Sequence, residues 1–157
     1  MTEDTLTLRH PKLLGLHAHW LERAQGGIPL ASDLDPAALR PWLGNLLIMD
    51  IGPDGDFVYS YYGQNFAENF RTDRAGQSIA ELPDEQRRQL RVEYESVRDL
   101  KRPAARLYTA EFDGQTSTWE RLVLPLSEDG ETVSKILVGA YRIERPSIVA
   151  IAVPRVP

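Results

Sequence analysis

Residues 119–143 read WERLVLPLSEDGETVSKILVGAYRI, two runs of leucine, β-branched and aromatic side chains joined by a polar segment that contains Asp-Gly. Trp119 to Leu126 and Val133 to Ile143 therefore predict two long strands, with the reversal over Ser127 to Glu131. Alternation with a period of two sorts their side chains into two sets. One holds Leu122, Leu124, Leu126, Ile136, Val138 and Ala140, the other Trp119, Arg121, Val123, Leu137 and Tyr141. Both sets are partly apolar, so both faces of the sheet need a cover: helices on one side, and a helix or a partner chain on the other.

Working outward, three more strands are expected. Leu46–Ile51 (LLIMDI) is a continuous apolar run, GPDG at 52–55 turns the chain, and Phe57–Tyr62 (FVYSYY) returns with Phe57, Tyr59 and Tyr61 on one face. Ala104–Phe112 precedes the Asp113-Gly114 turn. Between Gly63 and Pro103 the pattern is helical: NFAENF, GQSIAEL, and a longer helix from Pro83 whose stripe is Leu90, Tyr94 and Val97 and which Pro103 stops. At the start, residues 1–10 read as a loose polar segment. Residues 11–27 form a helix opened by Pro11, striped by Leu13, Leu16, His17, Trp20 and Ala24, widened by Leu14 and Leu21, and ended at Gly26-Gly27. Ile28 to Asp33 connects; Asp35 caps and Pro36 starts a short helix that Pro41 ends. Residues 28–143 then make up the domain, and 144–157 are an apolar tail. Its core, SIVAIAVPRV at 147–156, is too short to span a membrane and is expected to dock on its own domain or a second copy.

The chain of 157 residues has room for one domain. Charged residues at 26% and hydrophobic residues at 42% suit a folded soluble protein. A net charge of -5, with no basic stripe, argues against nucleic acid; Arg87, Arg88 and Arg91 read as a solvated helix face. The absence of cysteine excludes disulfides, thiolate metal sites, cysteine nucleophiles and cysteine-linked chromophores. His10, His17 and His19 lack the i, i+4 spacing of a helical metal pair, so no metal site is expected. No basic start leads into an apolar run and no apolar run reaches about 18 residues, which places the protein in the cytoplasm, off the membrane.

The order helix, short helix, two strands, several short helices, three strands resembles a PAS domain. DLDPAALRPWLGNLLIMDIG (33–52), FVYSYYG (57–63), RTDRAGQSIAEL (71–82) and ERLVLPL (120–126) are similar, in that order, to a stand-alone single-domain bacterial group found in alphaproteobacteria and first catalogued as a family of unknown function. The resemblance covers residues 12–143. It implies an α+β fold: a five-stranded antiparallel sheet with short helices on one face, an N-terminal capping helix, and a pocket between sheet and short helices. Tyr59, Tyr61, Arg106, Tyr108 and Trp119 are the candidate pocket residues. An inward Arg or Tyr hydroxyl needs a partner there, which a ligand carboxylate or phosphate would supply. In the resembled group an Arg often follows the tyrosine of the second strand; here Ser60 follows Tyr59, which points to a different ligand or to none.

By the same resemblance the chain is a cytoplasmic sensory or regulatory module without enzymatic activity, a homodimer through its N-terminal helix, that acts through a separate signalling protein. Haem is disfavoured, because every histidine precedes residue 20, and so are cysteine-linked chromophores; a non-covalent flavin or a small metabolite stays open. Two other readings stand beside it. One is a structural interaction module whose pocket is filled by its own side chains. The other is a small isomerase or lyase of the ketosteroid-isomerase type, with Asp50 as base near Tyr59 and Tyr61. Element order opposes that last reading, since there the long helices precede the sheet, whereas here helices interrupt it.

Overall fold

In the computed structural model, residues 6–112 and 114–143 are described, so the expected docking of the tail at 147–156 falls outside them. Three consecutive strands, β3 (Ala104–Phe112), β4 (Gln115–Ser127) and β5 (Val133–Ile143), form an antiparallel meander. β1 (Leu46–Ile51) pairs antiparallel with the free edge of β5, and β2 (Phe57–Tyr62) lies outside β1, giving the order β2-β1-β5-β4-β3. This is the expected α+β fold. The element that follows β2 must cross the sheet to reach β3 at the far edge. The crossing is made by α2 (Gln64–Phe70), a 3-10 turn at Ile79–Glu81 and α3 (Asp84–Leu100), and it covers one face, the inner one.

Two one-residue irregularities decide which side chains face inward. Along β4 and β5, Leu122 pairs with Gly139, Val123 with Val138 and Leu124 with Leu137. Directly opposed residues share a face, so Leu122, Leu124 and Leu126 lie with Leu137 and Tyr141 on the outer face, while Trp119 and Val123 lie with Ile136, Val138 and Ala140 on the inner one. The alternation within each strand is as expected, but the two strands combine the opposite way. The cause is at the turn, where Ser127 pairs with Val133 but Leu126 with Lys135, so that Ser134 is an extra residue and shifts every later pair by one. A second bulge sits in β2: Met49 pairs with Tyr59 and Ile48 with Tyr61, leaving Ser60 unopposed.

The outer face is covered by α1 (Pro11–Ala24), as the apolar stripe predicted. Pro11 begins it, the His10 ring Nδ1 accepts from the Lys12 backbone N–H, and Gln25 ends it in the left-handed region. Leu13, Leu16 and Trp20 are buried against the sheet, whereas Leu14 and Leu21 remain about half exposed at 50% and 51%. A side chain at position 139 would stand 2.7 Å from a Leu16 methyl, so Gly139 is what lets the helix lie this close to β5. The segment read as loose is, over Leu6 to His10, laid on the same face: Leu6 and Leu8 pack there, and Arg9 and His10 donate their backbone N–H groups to the Glu120 carboxylate.

The short helix expected from Pro36 to Pro41 is one turn, in which Asp35 does cap, accepting from the Ala38 N–H at 2.9 Å. The chain then continues as a 3-10 helix over Arg40–Asn45, because Pro41 falls in its first turn, where no N–H is required. On the inner side Leu90, Tyr94 and Val97 are the buried stripe of α3. Arg87 and Arg88 pair with Asp84 and Glu85 of the same helix, while Arg91 reaches back to Asp56 beside the start of β2.

Candidate functional site

The crossing helices do not fill the space they enclose. Between the inner sheet face and α2–α3 lies a cavity of about 270 Å³, near the lower end of small-molecule sites. Its walls are aromatic: Tyr59 and Tyr62 from β2, Phe66 and Phe70 from α2, Tyr108 from β3 and Trp119 from β4. Leu47, Leu90 and Ala140 complete the apolar part, and Arg74, Gln86, Glu111 and Arg121 supply polar groups.

Of the five residues read from the sequence, three meet here. Tyr59 and Trp119 are buried at 4% and 5% exposure, and Tyr108 is half-buried. Tyr61 does not belong to the site. The Ser60 bulge turns it to the outer cluster, where its hydroxyl donates to the Leu43 carbonyl at 2.9 Å, and puts Tyr62 in its place. Arg106 is on the inner face but not on the cavity wall. Its guanidinium is bonded to Glu93 of α3 and lies over the Tyr108 ring, 5.6 Å from its centroid.

Arg121 is the residue sequence reasoning missed. It opposes Arg106 across the β3–β4 pair and is 7% exposed; one Nη donates to Glu93 at 2.9 Å and to the Tyr94 hydroxyl at 3.0 Å. Burial works against its charge, but the Tyr94 oxygen and the Glu93 carboxylate outweigh burial and hold its pKa above the ordinary value. Its place beside Trp119 in the alternating set was readable; its burial was not, because a charged strand residue is by default a solvated one. Burial also raises the phenol pKa of Tyr59, and of Tyr62 despite the Arg74 guanidinium beside it, so both stay protonated donors at neutral pH.

Of the residues the isomerase reading would need, Tyr59 is on the opposite side of the sheet from Asp50, and Tyr61, on the same side, has its hydroxyl bonded to the Leu43 carbonyl. Asp50 is half exposed and ion-paired with Lys135 at 2.6 Å, while Tyr59 is in the inner cluster. Among the described residues no three His, Asp or Glu side chains are grouped to hold a metal ion, and no helix is long and apolar enough to cross a membrane.

A five-stranded antiparallel sheet in this order, with short helices crossing one face over an aromatic cavity, defines the class as an α+β domain with the helices on both sides of one sheet. The family model described as PAS domain matches residues 8–141, and the chain belongs to that family. Among solved structures it is similar to the PAS domain of BvgS from Bordetella pertussis, at 11% identity and a TM-score of 0.61, covering 77% of this chain and 92% of that one. It is also similar to a sensory box sensor histidine kinase from Vibrio cholerae, at 15% identity and a TM-score of 0.48, covering 73% of this chain and 94% of that one. A light-oxygen-voltage domain described with a flavin analogue matches at 16% identity and a TM-score of 0.48, covering 73% and 88%. No curated protein sequence matches this chain.

Proposed function

We propose that this PAS domain is a non-enzymatic sensory module that takes up a small molecule between its sheet and the α2–α3 crossing and signals the bound state to a protein partner. The observation that carries this reading is the cavity itself: aromatic walls, a buried guanidinium and two protonated phenols around about 270 Å³ of unfilled space. A purely structural module would fill that space with its own side chains, as its outer face is filled by α1. The half-exposed flank of α1, Leu14 and Leu21, is assigned to a second copy of the chain, since the buried stripe is already used on the sheet. The sequence contains no cysteine, so a ligand is held without a thiol bond.

Native mass spectrometry of the full chain purified from its own host, set against the denatured mass, tests the reading. A small added mass is expected that is lost on denaturation and absent from an Ala140→Leu variant, in which the larger side chain occupies part of the cavity. A bare native mass, together with no compound that raises the thermal midpoint, would contradict it.

A further inference from the structure

The two edges of the sheet are treated differently. At β2 the chain covers its own edge: the Tyr59 N–H donates to the Gln77 carbonyl at 2.9 Å, the Tyr59 carbonyl accepts from the Gly76 N–H at 2.7 Å, and Val58 bridges to Ser78. At the opposite edge β3, nine residues long, pairs only with β4 among the described residues. Its register runs unbroken from Ala104 to Phe112, with neither a bulge nor a proline to blunt it. A long, regular, open edge is a strand-pairing surface that folded chains otherwise cover.

Along that edge runs a groove between β3 and α3. Gln89, Val92 and Ser96 of the helix line it, with Ala104, Ala105 and Arg106 of the strand. Successive strand residues point to opposite faces, so a groove lined by both Ala104 and Ala105 opens on the edge of the strand and not on one face. Its charged members already have partners, Arg88 with Glu85 and Arg106 with Glu93. What is left for an occupant is apolar: Val92 is 68% exposed, and Leu107 beside it on β3 is 44% exposed. The groove therefore suits an uncharged, extended, apolar segment that adds a strand to the sheet.

We infer that this segment is Ile148 to Val153 of the same chain, IVAIAV, seated antiparallel to β3. β5 ends at Ile143, which is level with Thr118 of β4 and so with Thr109 of β3. From there a seat beyond β3 is three strand spacings away, about 14 Å. The five peptide steps from Ile143 to Ile148 reach about 17 Å, and Pro146 among them suits a reversal of the chain. Six residues then run back along β3 from Thr109 to Ala104. They carry no charge, as the groove requires, and isoleucine and valine predominate among them. Pro154, which has no N–H to give, falls beside Pro103, where β3 begins.

Hydrogen exchange read by mass spectrometry on the full chain tests the assignment, at two protein concentrations about 100-fold apart. Residues 148–153 should exchange at least roughly tenfold more slowly than an unstructured peptide at both concentrations. Val92→Glu alters an exposed side chain of the groove, and should speed exchange in 148–153 and in β3 together while leaving the rest of the pattern intact. Ile151→Pro removes an N–H from the added strand and should have the same paired effect from the other side. Exchange of 148–153 at the unstructured rate in the unsubstituted protein would overturn the inference, whatever the variants do. Protection that appears only at the higher concentration would overturn it in favour of a second copy in the groove. Protection of 148–153 that survives Val92→Glu, with β3 unaffected by Ile151→Pro, would overturn it by moving the segment to another surface.

Discussion

Glu120 sits on the outer face of β4 at 2% exposure, and its carboxylate accepts from the backbone N–H groups of Arg9 and His10 at 2.7 to 3.0 Å. The His10 ring then stacks on Tyr141, 4.5 Å between centroids, so one carboxylate holds the whole lead-in to α1 against the sheet. Hydrogen bonds to a charged group contribute more than neutral ones, and Glu120→Ala should cost about 2 kcal/mol in urea unfolding and speed amide exchange at residues 9 and 10. An unchanged urea midpoint would mean that the lead-in is held by Leu6 and Leu8 alone. Asp56 supplies a pH dependence. Burial opposes its charge, but hydrogen bonds from Ser78, the Phe57 N–H and Arg91 outweigh burial and hold its pKa below the ordinary carboxylate value. The unfolded state then binds the proton more readily, so this contribution is complete above about pH 4 and is lost as pH falls through the lower folded value. Asp56→Asn should flatten that acid limb; a wild-type slope in the variant would place the loss elsewhere. At this scale Tyr59, Tyr108 and Trp119 were named through the family resemblance, which implies a pocket between the sheet and the short helices, and they line the cavity. Glu120 and Arg121 were not, since what buries them, the N-terminal segment and α3, is far away in the chain.

The elements themselves were largely legible, because glycine and proline mark their ends: Pro11 at the first position of α1, GPDG between β1 and β2, Pro103 before β3, Asp129-Gly130 between β4 and β5. What could not be read was register. A bulge of one residue exchanges the two faces of a strand without changing its composition, and the residues left over, Ser60 within β2 and Ser134 near the start of β5, carry no mark of it in the sequence. The exchange of Tyr61 for Tyr62 in the cavity follows from the first, and the altered partnership of β4 with β5 from the second. The role of α1 can be separated by mutation. Leu16 is fully buried between helix and sheet, so Leu16→Glu would place an unpaired charge in an apolar contact and should unfold the protein at room temperature. Leu14→Glu, on the half-exposed flank, should change stability by less than about 0.5 kcal/mol and convert a dimer into a folded monomer in sedimentation. A folded, stable Leu16→Glu protein would show that α1 is not the cover of the outer face. A dimer unaffected by Leu14→Glu would move the subunit contact to another surface.

At the scale of the molecule, a sheet covered on one face by its own first helix and on the other by a crossing of short helices leaves an aromatic-walled cavity on the inner side. The architecture, and with it a pocket between sheet and short helices, was readable from element order and four short stretches, but the shape of the cavity was not, since it depends on the β2 bulge and on how far α2 stands from β4. The three tryptophans provide a direct measurement of it. Their indole N–H signals in a nitrogen-proton correlation spectrum come from two groups already bonded to carbonyls, Trp20 and Trp42, and one buried without an acceptor, Trp119. On titration with a compound that binds, the Trp119 signal, assigned through Trp119→Phe, should move because its ring lines the cavity, while the other two, in the outer cluster, stay in place. A saturable binding event that leaves the Trp119 signal unmoved, or shifts the Trp20 and Trp42 signals instead, would contradict the inner cavity as the site.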